Sequence, residues 1–353
     1  MDPGYYMIPS GNTYTMYWSS VSGAGYEIEE ATNSSFSDAI GWSTGSTSKA
    51  FSHDNYTDAN KTYYYRVRAL NSCGYSSYSK AESTSVAPDP VEYLAVCIGI
   101  SDYPGTSNDA SAPVYDVDRM IDMLSHCRFG SSNITFSSIQ YLKDDEATKT
   151  RVTNGISSLF SSADSNDVSY IFFSGHGSPM SPNKAAIVLY DGYMSVDELE
   201  IILRPINGTK VVIINCCNSG GFIGKGKNEI TKDDLNNFNE SVIDVFSQND
   251  SRDLLTKSGY IVLTACHYYE DSSYNDPLFG DPYSFFVLAL VQGCGYDYYT
   301  YPYWADNSGD RKISLQEACT YTEYWLANEF PTVDPLQDAQ MYPQGSDFPI
   351  VEY

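Results

Sequence analysis

The chain has 353 residues, of which 42% are hydrophobic and 18% are charged, so it can bury a sizeable core and does not have the composition of a disordered protein. This length suits two domains better than one. The formal net charge of -25 would repel phosphate backbones and anionic membrane surfaces, so nucleic acid is not expected as a partner.

Residues 1–88 are predicted to form an all-β domain. Short runs of alternating residues at Thr13–Trp18, Tyr26–Glu29 and Tyr63–Ala69 are separated by clusters of turn residues. This pattern is typical of a β-sandwich. The segment resembles a fibronectin type III domain, in which Trp18 would be the early core tryptophan and Tyr63–Ala69 would be strand F.

The cellular location is not fixed by the sequence. The first residues, Met-Asp-Pro-Gly-Tyr-Tyr, have neither the basic nor the apolar region of a signal peptide, so none is recognised in this chain. The resemblance to a fibronectin type III domain favours a secreted or cell-surface protein. The apolar run Phe285–Val291 is far shorter than the roughly 20 residues of a membrane span, so no span is expected.

A domain boundary is predicted at Ala87–Val91, where two prolines in three residues disfavour helix and remove backbone donors. Residues 89–353 then alternate between apolar strands and segments of helical period. The predicted strands are Tyr93–Ile100, Val168–Ser174, Lys210–Cys216 and Tyr260–Ala265, and the predicted helices are Val114–His126, Lys149–Ser161 and one opened by a capping box at Ser195–Glu198. This order predicts an α/β domain with a mostly parallel sheet flanked by helices.

Two of these strands end in residues that can do chemistry. One ends in Ser-Gly-His-Gly, where glycines on both sides of His176 are expected to let the backbone turn sharply. The other ends in Asn-Cys-Cys-Asn-Ser-Gly, which contains Cys217. Because the carboxyl ends of parallel strands meet at one edge of a sheet, both residues are expected to face one crevice.

An imidazole beside a thiol can stabilise the thiolate and later protonate a leaving amine. The backbone N–H groups of Gly177 and Cys217 are candidates for holding the oxyanion of a tetrahedral intermediate. A histidine at a turn, or a buried cysteine, is more often structural when it stands alone. The paired placement at two strand ends is what indicates catalysis.

Most of the segment from residue 93 to 350 resembles a caspase-like cysteine peptidase of clan CD (peptidase C14, metacaspase type), whose hallmarks are strands ending in His-Gly and in Asp-x-Cys-x-Ser-Gly. Further matches are Gly99–Gly105, Asp144–Thr148 and Leu263–Cys266. The resemblance implies a cysteine endopeptidase that acts on peptide or protein substrates and needs no cofactor for its chemistry. It assigns the nucleophile to Cys217, and a slip of one residue would assign it to Cys216 instead.

The same resemblance implies a pocket for the P1 side chain of the substrate. In metacaspase-like relatives, two aspartates receive a basic P1 residue, and the matching positions here are Asp116 and Asn215. One carboxylate would still favour Arg or Lys, although less strongly than two. Asp116 could alternatively be a residue of a helix's first turn that the helix dipole favours.

Self-cleavage is predicted in the polar stretch between residues 222 and 257, where relatives carry a cleavable loop. Lys225 and Lys227 lie there in a glycine-rich segment of the kind that proteases cut.

A calcium site is a further possibility near the C-terminus. The residues at positions 1, 3, 5 and 12 of an EF-hand-like loop are Asp306, Ser308, Asp310 and Glu317. Arg311 occupies position 6, where glycine is expected, and its side chain resists the sharp turn that this position requires. The alternative is a turn and helix N-cap without a bound ion.

Two other functions remain open at this point. One is a caspase-like binding protein that has lost turnover, with Asn215 as the departure from the family pattern. The other is a transpeptidase or ligase that passes the acyl group to an amine.

The eight cysteines include no C-x-x-C pair, which argues against a zinc site and a disulfide scaffold. A monomer is expected.

Overall fold

A computed structural model describes residues 7–55, 60–105, 109–180, 184–217, 232–248, 259–267, 281–296, 302–329 and 339–353. The chain divides into two compact units, Met1–Val91 and Glu92–Tyr353. Over the described residues, the first unit contains strands alone and the second combines strands with helices. None of the described helices is long and apolar enough to cross a membrane.

The first unit is a β-sandwich, as its alternating sequence predicts. Its strands are β1 (Thr13–Tyr17), β2 (Gly25–Ala31), β3 (Ile40–Thr44), β4 (Ser48–Ser52), β5 (Lys61–Asn71), β6 (Gly74–Tyr75) and β7 (Glu82–Val86). One sheet has the order β3-β2-β5-β6 with β7 beside β5, and the other pairs β1 with β4. The two sheets share one core, to which Phe51 of β4 and Ile28 and Tyr65 of the larger sheet contribute.

The second unit alternates strands and helices. Its strands are β8 (Tyr93–Gly99), β9 (Phe136–Lys143), β10 (Val168–Met180), β11 (Lys184–Leu189), β12 (Gly192–Ser195), β13 (Thr209–Cys217), β14 (Gly259–His267), β15 (Lys312–Ser314), β16 (Gln340–Tyr342) and β17 (Pro349–Glu352). Its helices are α1 (Pro113–Ser125), α2 (Lys149–Leu159), α3 (Val196–Leu203), α4 (Lys232–Gln248), α5 (Phe285–Gly293) and α6 (Leu315–Glu329). The capping box predicted at Ser195 is present at the start of α3.

The main sheet has the order β9-β8-β10-β13-β14-β16. The first five strands are parallel and β16 is antiparallel. The antiparallel strands β11 and β12 extend the sheet from the far end of β10. The predicted, mostly parallel sheet is therefore confirmed, with the antiparallel extension as an addition.

Helices cover the sheet on the side of its largest apolar cluster. Alternate strand residues such as Val96, Phe173 and Ile214 pack there with Val152 of α2 and Val242 of α4. The alternation follows from the two-residue period of a strand, so the residues between them belong to the other face. Helix α1 contacts β8, β10 and α5.

The segment 222–257, predicted as a cleavable loop, contains helix α4 between residues 232 and 248. Phe238, Val242 and Phe246 recur at intervals of four residues, which is the spacing of one helix face, and all three are buried. The polar residues around them hid this apolar face. Lys225 and Lys227 lie outside the described residues.

Glycine at position 99 lets α1 approach the first strand of the sheet. A Cβ atom on Gly99 would lie 2.6 Å from the carbonyl oxygen of Pro113 and 2.6 Å from a methyl group of Val117. In contrast, a Cβ atom on Gly155, inside α2, would have Leu142 Cδ1 as its nearest neighbour at 3.7 Å.

We expect Gly99→Ala to lower the free energy of unfolding by about 1–3 kcal/mol, because α1 must move away from β8. Gly155→Ala is the matched control and should raise this free energy by about 0.5–1 kcal/mol, since alanine is more stable than glycine in a helix interior. Urea unfolding followed by circular dichroism measures both variants. Equal effects of the two substitutions would contradict the close approach of α1.

Candidate active site

His176 and Cys217 are neighbours across two adjacent parallel strands. In the register of β10 against β13, His176 is paired with Cys217 and Ser174 is paired with Asn215. Cys217 is the last residue of β13. Both positions lie at the carboxyl ends of the parallel pairing, where sheets of this type bind ligands.

The backbone and the ring of His176 both contact Tyr103. The N–H group of His176 donates a hydrogen bond to Tyr103 Oη at 2.9 Å. The two rings are stacked, with centroids 4.4 Å apart and planes inclined by 26°. Tyr103 Oη in turn donates to the carbonyl oxygen of Val188 at 3.2 Å. Both His176 and Tyr103 are buried.

The glycines beside His176 have a different role from the predicted one. Strand β10 does not end at Ser174 but continues to Met180, and neither Gly175 nor Gly177 has a left-handed backbone. A Cβ atom on Gly177 would lie 2.9 Å from a ring carbon of Phe238 and 3.1 Å from Cys216 Sγ. These positions therefore need glycine for close packing against neighbouring side chains and not for a sharp turn.

Asp116 lies in the first turn of α1 and its side chain is fully buried. Its carboxylate accepts hydrogen bonds from the backbone N–H of Ser284 at 3.1 Å, from Ser284 Oγ and from Ser174 Oγ at 2.9 Å. Arg119 Nη1 lies 3.7 Å from the same carboxylate and donates to the carbonyl oxygen of Pro282 at 2.8 Å. Asp116 thus has both hydrogen-bond donors and a partial counter-charge.

Asn215 joins this group through Ser174. Its side-chain Nδ2 donates to Ser174 Oγ at 3.1 Å, and Ser174 donates to Asp116. We call Asp116, Ser174, Asn215 and Ser284 the Asp116 cluster. It connects α1, β10, β13 and the residue before α5, and it brings together the two residues that the family resemblance assigns to the P1 pocket.

The predicted calcium-binding residues surround a tight loop. Asp306 accepts hydrogen bonds from the backbone N–H groups of Gly309 at 2.7 Å and Arg311 at 3.1 Å. Arg311 adopts φ of 69°, so it takes the left-handed conformation that its side chain was expected to resist. Glu317 accepts from the backbone N–H of Ser308 at 3.1 Å.

Asp310, the remaining acidic residue of the loop, accepts from the backbone N–H of Lys312 at 2.9 Å. Within the described ranges, no three His, Cys, Asp or Glu side chains converge so that they could hold a metal ion. The carboxylates of the loop stabilise its turn in this arrangement, and calcium binding by Asp306, Ser308, Asp310 and Glu317 stays a prediction.

Four residues of the site were missed by sequence reasoning. They are Tyr103, Arg119, Ser174 and Ser284. Three had local signals: Ser174 lies two residues before His176 on the same strand, and Tyr103 follows the first strand within the matched segment Gly99–Gly105. Arg119 lies three residues after Asp116 on α1. Ser284 had none, because its contact with Asp116 spans 168 residues of sequence.

Burial raises the pKa of the Asp116 carboxyl from 3.8 to about 6, although the hydrogen bonds from Ser284 and the charge of Arg119 act in the opposite direction. The folded chain therefore binds more protons at this group than the unfolded chain does between about pH 4 and pH 6. Its contribution to stability is most favourable below this range and falls as the pH rises through it.

We predict that Asp116→Asn removes this part of the pH dependence. Relative to the unsubstituted chain, the free energy of unfolding of the variant should increase by about 2–3 kcal/mol as the pH rises from about 4 to about 7. Lost hydrogen bonds add an offset that does not depend on pH. Urea unfolding at a series of pH values measures the difference, and a constant difference would contradict the raised pKa.

The sequence profile of the caspase domain family matches residues 92–298. Metacaspase-4 of Arabidopsis thaliana is 30% identical to the chain over an alignment of 149 residues that covers 38% of this chain and 35% of that protein. The chain thus spans about a third of the length of this relative.

Among solved structures, protein GSU0716 from Geobacter sulfurreducens is similar over 71% of this chain and 92% of its own, with 16% identity and a TM-score of 0.45. The fibronectin type III domain of human fibronectin type III domain containing protein 3 is similar over 25% of this chain and 92% of its own, with 18% identity and a TM-score of 0.19. The family assignment follows from the caspase domain match, which covers more than half of the 353 residues. The chain belongs to the caspase domain family, peptidase C14.

Proposed function

We propose that the chain is a cysteine endopeptidase in which Cys217 is the nucleophile and His176 is its general base and acid. The observation that carries this proposal is the pairing of these two residues in register on adjacent parallel strands. Residues paired in this way lie on the same face of a sheet, with the strands about 4.8 Å apart. The membership in the caspase domain family supports the same activity.

The chemistry follows from the two groups. His176 takes the thiol proton, and the resulting thiolate attacks the carbonyl carbon of the scissile peptide bond. The backbone N–H groups of Gly177 and Cys217 stabilise the oxyanion, and His176 then protonates the leaving amine. Water activated by the same imidazole hydrolyses the acyl-enzyme and restores the thiol.

Cys216 is the weaker candidate for the nucleophile. Its side chain is fully buried in the apolar cluster shared with α4, and its Sγ would lie 3.1 Å from a Cβ atom placed on Gly177. A nucleophile must be reachable by the substrate, and a buried apolar environment also disfavours the thiolate. These observations favour Cys217 over its neighbour.

We propose further that the Asp116 cluster favours Arg or Lys as the P1 residue. The buried carboxylate of Asp116 is its charged member, and Asn215 adds a polar group without charge. Arg119 offsets part of this charge at 3.7 Å. We therefore expect a preference for basic over neutral P1 residues that is weaker than a pocket with two free carboxylates would give.

Two further proposals concern segments beyond this core. Self-cleavage would occur at Lys225 or Lys227, and calcium would bind in the loop of residues 306–317. The left-handed backbone of Arg311 favours calcium binding, because position 6 of such a loop needs that conformation.

Product analysis with added amine nucleophiles distinguishes hydrolysis from acyl transfer by a transpeptidase or ligase.

Cys217→Ala and His176→Ala should each lower kcat/KM on fluorogenic peptides by about a thousandfold or more, because each removes one half of the reacting pair. Cys73→Ala is the control: this free cysteine is exposed in the first unit, and its loss should leave the rate unchanged. Full activity of Cys217→Ala would contradict the assignment. No release from any peptide by the unsubstituted chain would favour a binding protein that lacks turnover.

Asp116→Asn should reduce the ratio of kcat/KM for Arg over Asn at P1 by about tenfold, which is the scale of one charge-assisted hydrogen bond. Asp118→Asn is the matched control, since its carboxylate lies on the same helix, is 61% exposed and pairs with Lys143. The control should keep the ratio. An unchanged ratio in Asp116→Asn would assign the carboxylate a purely structural role.

A further inference from the structure

Tyr103 lies where two strands succeed each other along one edge of β10. Strand β8 pairs with β10 from Val168 to Ser174, and β11 pairs with it from Gly177 to Met180. The opposite edge of β10 pairs with β13 as far as His176. A strand has two edges, so β11 takes over the edge that β8 leaves, and His176 lies in the gap between them.

The hydroxyl group of Tyr103 occupies this gap. It accepts the N–H group of His176 at 2.9 Å and donates to the carbonyl oxygen of Val188 at 3.2 Å. Since Gly177 is paired with Ile187, His176 and Val188 would be the next pair of the antiparallel ladder. The hydroxyl therefore stands between a donor and an acceptor of neighbouring strands.

The pattern of the ladder indicates that these two groups would otherwise bond directly. Pro179 has no N–H group, and its partner Ala185 donates its own to Ser241 Oγ at 3.0 Å. Pro179 and Ala185 are therefore a pair without hydrogen bonds between their backbones. Hydrogen-bonded and non-bonded pairs alternate in an antiparallel ladder, so His176 and Val188 fall on a position that would be bonded.

Tyr103 also has little room to occupy another position. It is 4% exposed, and its ring stacks on the imidazole of His176 with centroids 4.4 Å apart. A Cβ atom on Gly175 would lie 2.7 Å from the hydroxyl oxygen, so the hydroxyl fits only beside a glycine. The fit fixes both the spacing of the strands and the support of the ring.

We propose that Tyr103 is a positioning residue for His176. Its hydroxyl keeps β11 from pairing with β10 one residue too early, and its ring supports the imidazole. Together they hold His176 beside Cys217. Without the hydroxyl, the His176 N–H group can bond to the Val188 carbonyl directly, which draws the backbone of His176 toward β11 and away from β13. The proposal rests on the proposed Cys217 and His176 pair.

The test compares Tyr103→Phe, which keeps the ring, with Tyr103→Leu, which removes it. We expect kcat to fall about tenfold in the first and about a hundredfold in the second with KM nearly unchanged, because small displacements of a catalytic group have effects of this size. The second readout is the rate at which iodoacetamide alkylates Cys217, followed by peptide mass spectrometry between about pH 5 and pH 9. An imidazole partner keeps this rate high below the ordinary thiol pKa of about 8.5.

Tyr170→Phe is the matched control. Tyr170 lies on β10, the strand that carries His176, and is buried. Its hydroxyl donates a hydrogen bond to the carbonyl oxygen of Ile350 at 2.9 Å. This variant loses an equivalent buried hydroxyl, so it should lose stability to a similar extent while keeping kcat and the alkylation profile. His176→Ala gives the profile of Cys217 without an imidazole, and the Tyr103 variants should shift toward it.

The proposal is overturned if Tyr103→Phe keeps the alkylation profile of the unsubstituted chain, or if Tyr170→Phe changes kcat and the profile by the same amount. If no peptide is hydrolysed, the proposed activity fails, and the shift of the alkylation profile still decides the role of Tyr103. If the unsubstituted chain and His176→Ala have the same profile, both proposals fail. Should Tyr103→Phe not fold, Gly175→Ala displaces the hydroxyl instead and should slow alkylation below about pH 7, with Gly155→Ala as its control.

Discussion

The register of β10 against β13 is the constraint on which the site depends. It sets His176 opposite Cys217 and Ser174 opposite Asn215 in one ladder. A shift by one residue would exchange the two faces of β13 and place Cys216 where Cys217 lies. The shift is opposed by the apolar residues of β13, because Val212, Ile214 and Cys216 fill the cluster shared with α2 and α4. The hydrophobic core thus fixes which residues of β13 lie opposite Ser174 and His176.

Near their carboxyl ends, the other face of the same strands carries a buried polar group. Removing a carboxylate from water is costly, and the Asp116 cluster offsets this cost with donors from Ser174 and Ser284 and with the nearby charge of Arg119. Because its members come from α1, β10, β13 and the start of α5, the cluster also ties these elements together. Any side chain that it binds would therefore meet groups held by the fold and not by a loop.

The sequence predicted ten of the described elements, because their apolar residues follow a two-residue or four-residue period or form a continuous run; they are β1, β2, β5, β8, β10, β13, β14, α1, α2 and α3. It predicted His176, Cys217, Asp116 and Asn215 from two strand-end motifs and a family resemblance. It missed α4, α5 and α6, and the apolar face of α4 is hidden among polar residues. It also read Gly175 and Gly177 as turn residues. Ser284 and the bridging hydroxyl of Tyr103 depend on contacts distant in sequence, and no local pattern reports such contacts.

Helix α4 has a consequence for any cut made on either side of it. Phe238, Val242 and Phe246 are almost completely buried against the sheet, and each such side chain contributes about 1.5–3 kcal/mol by its burial. A nick before residue 232 or after residue 248 would break the covalent chain and leave these contacts in place. The resulting fragments would stay associated as one folded particle. They would separate on a denaturing gel and migrate together under native conditions.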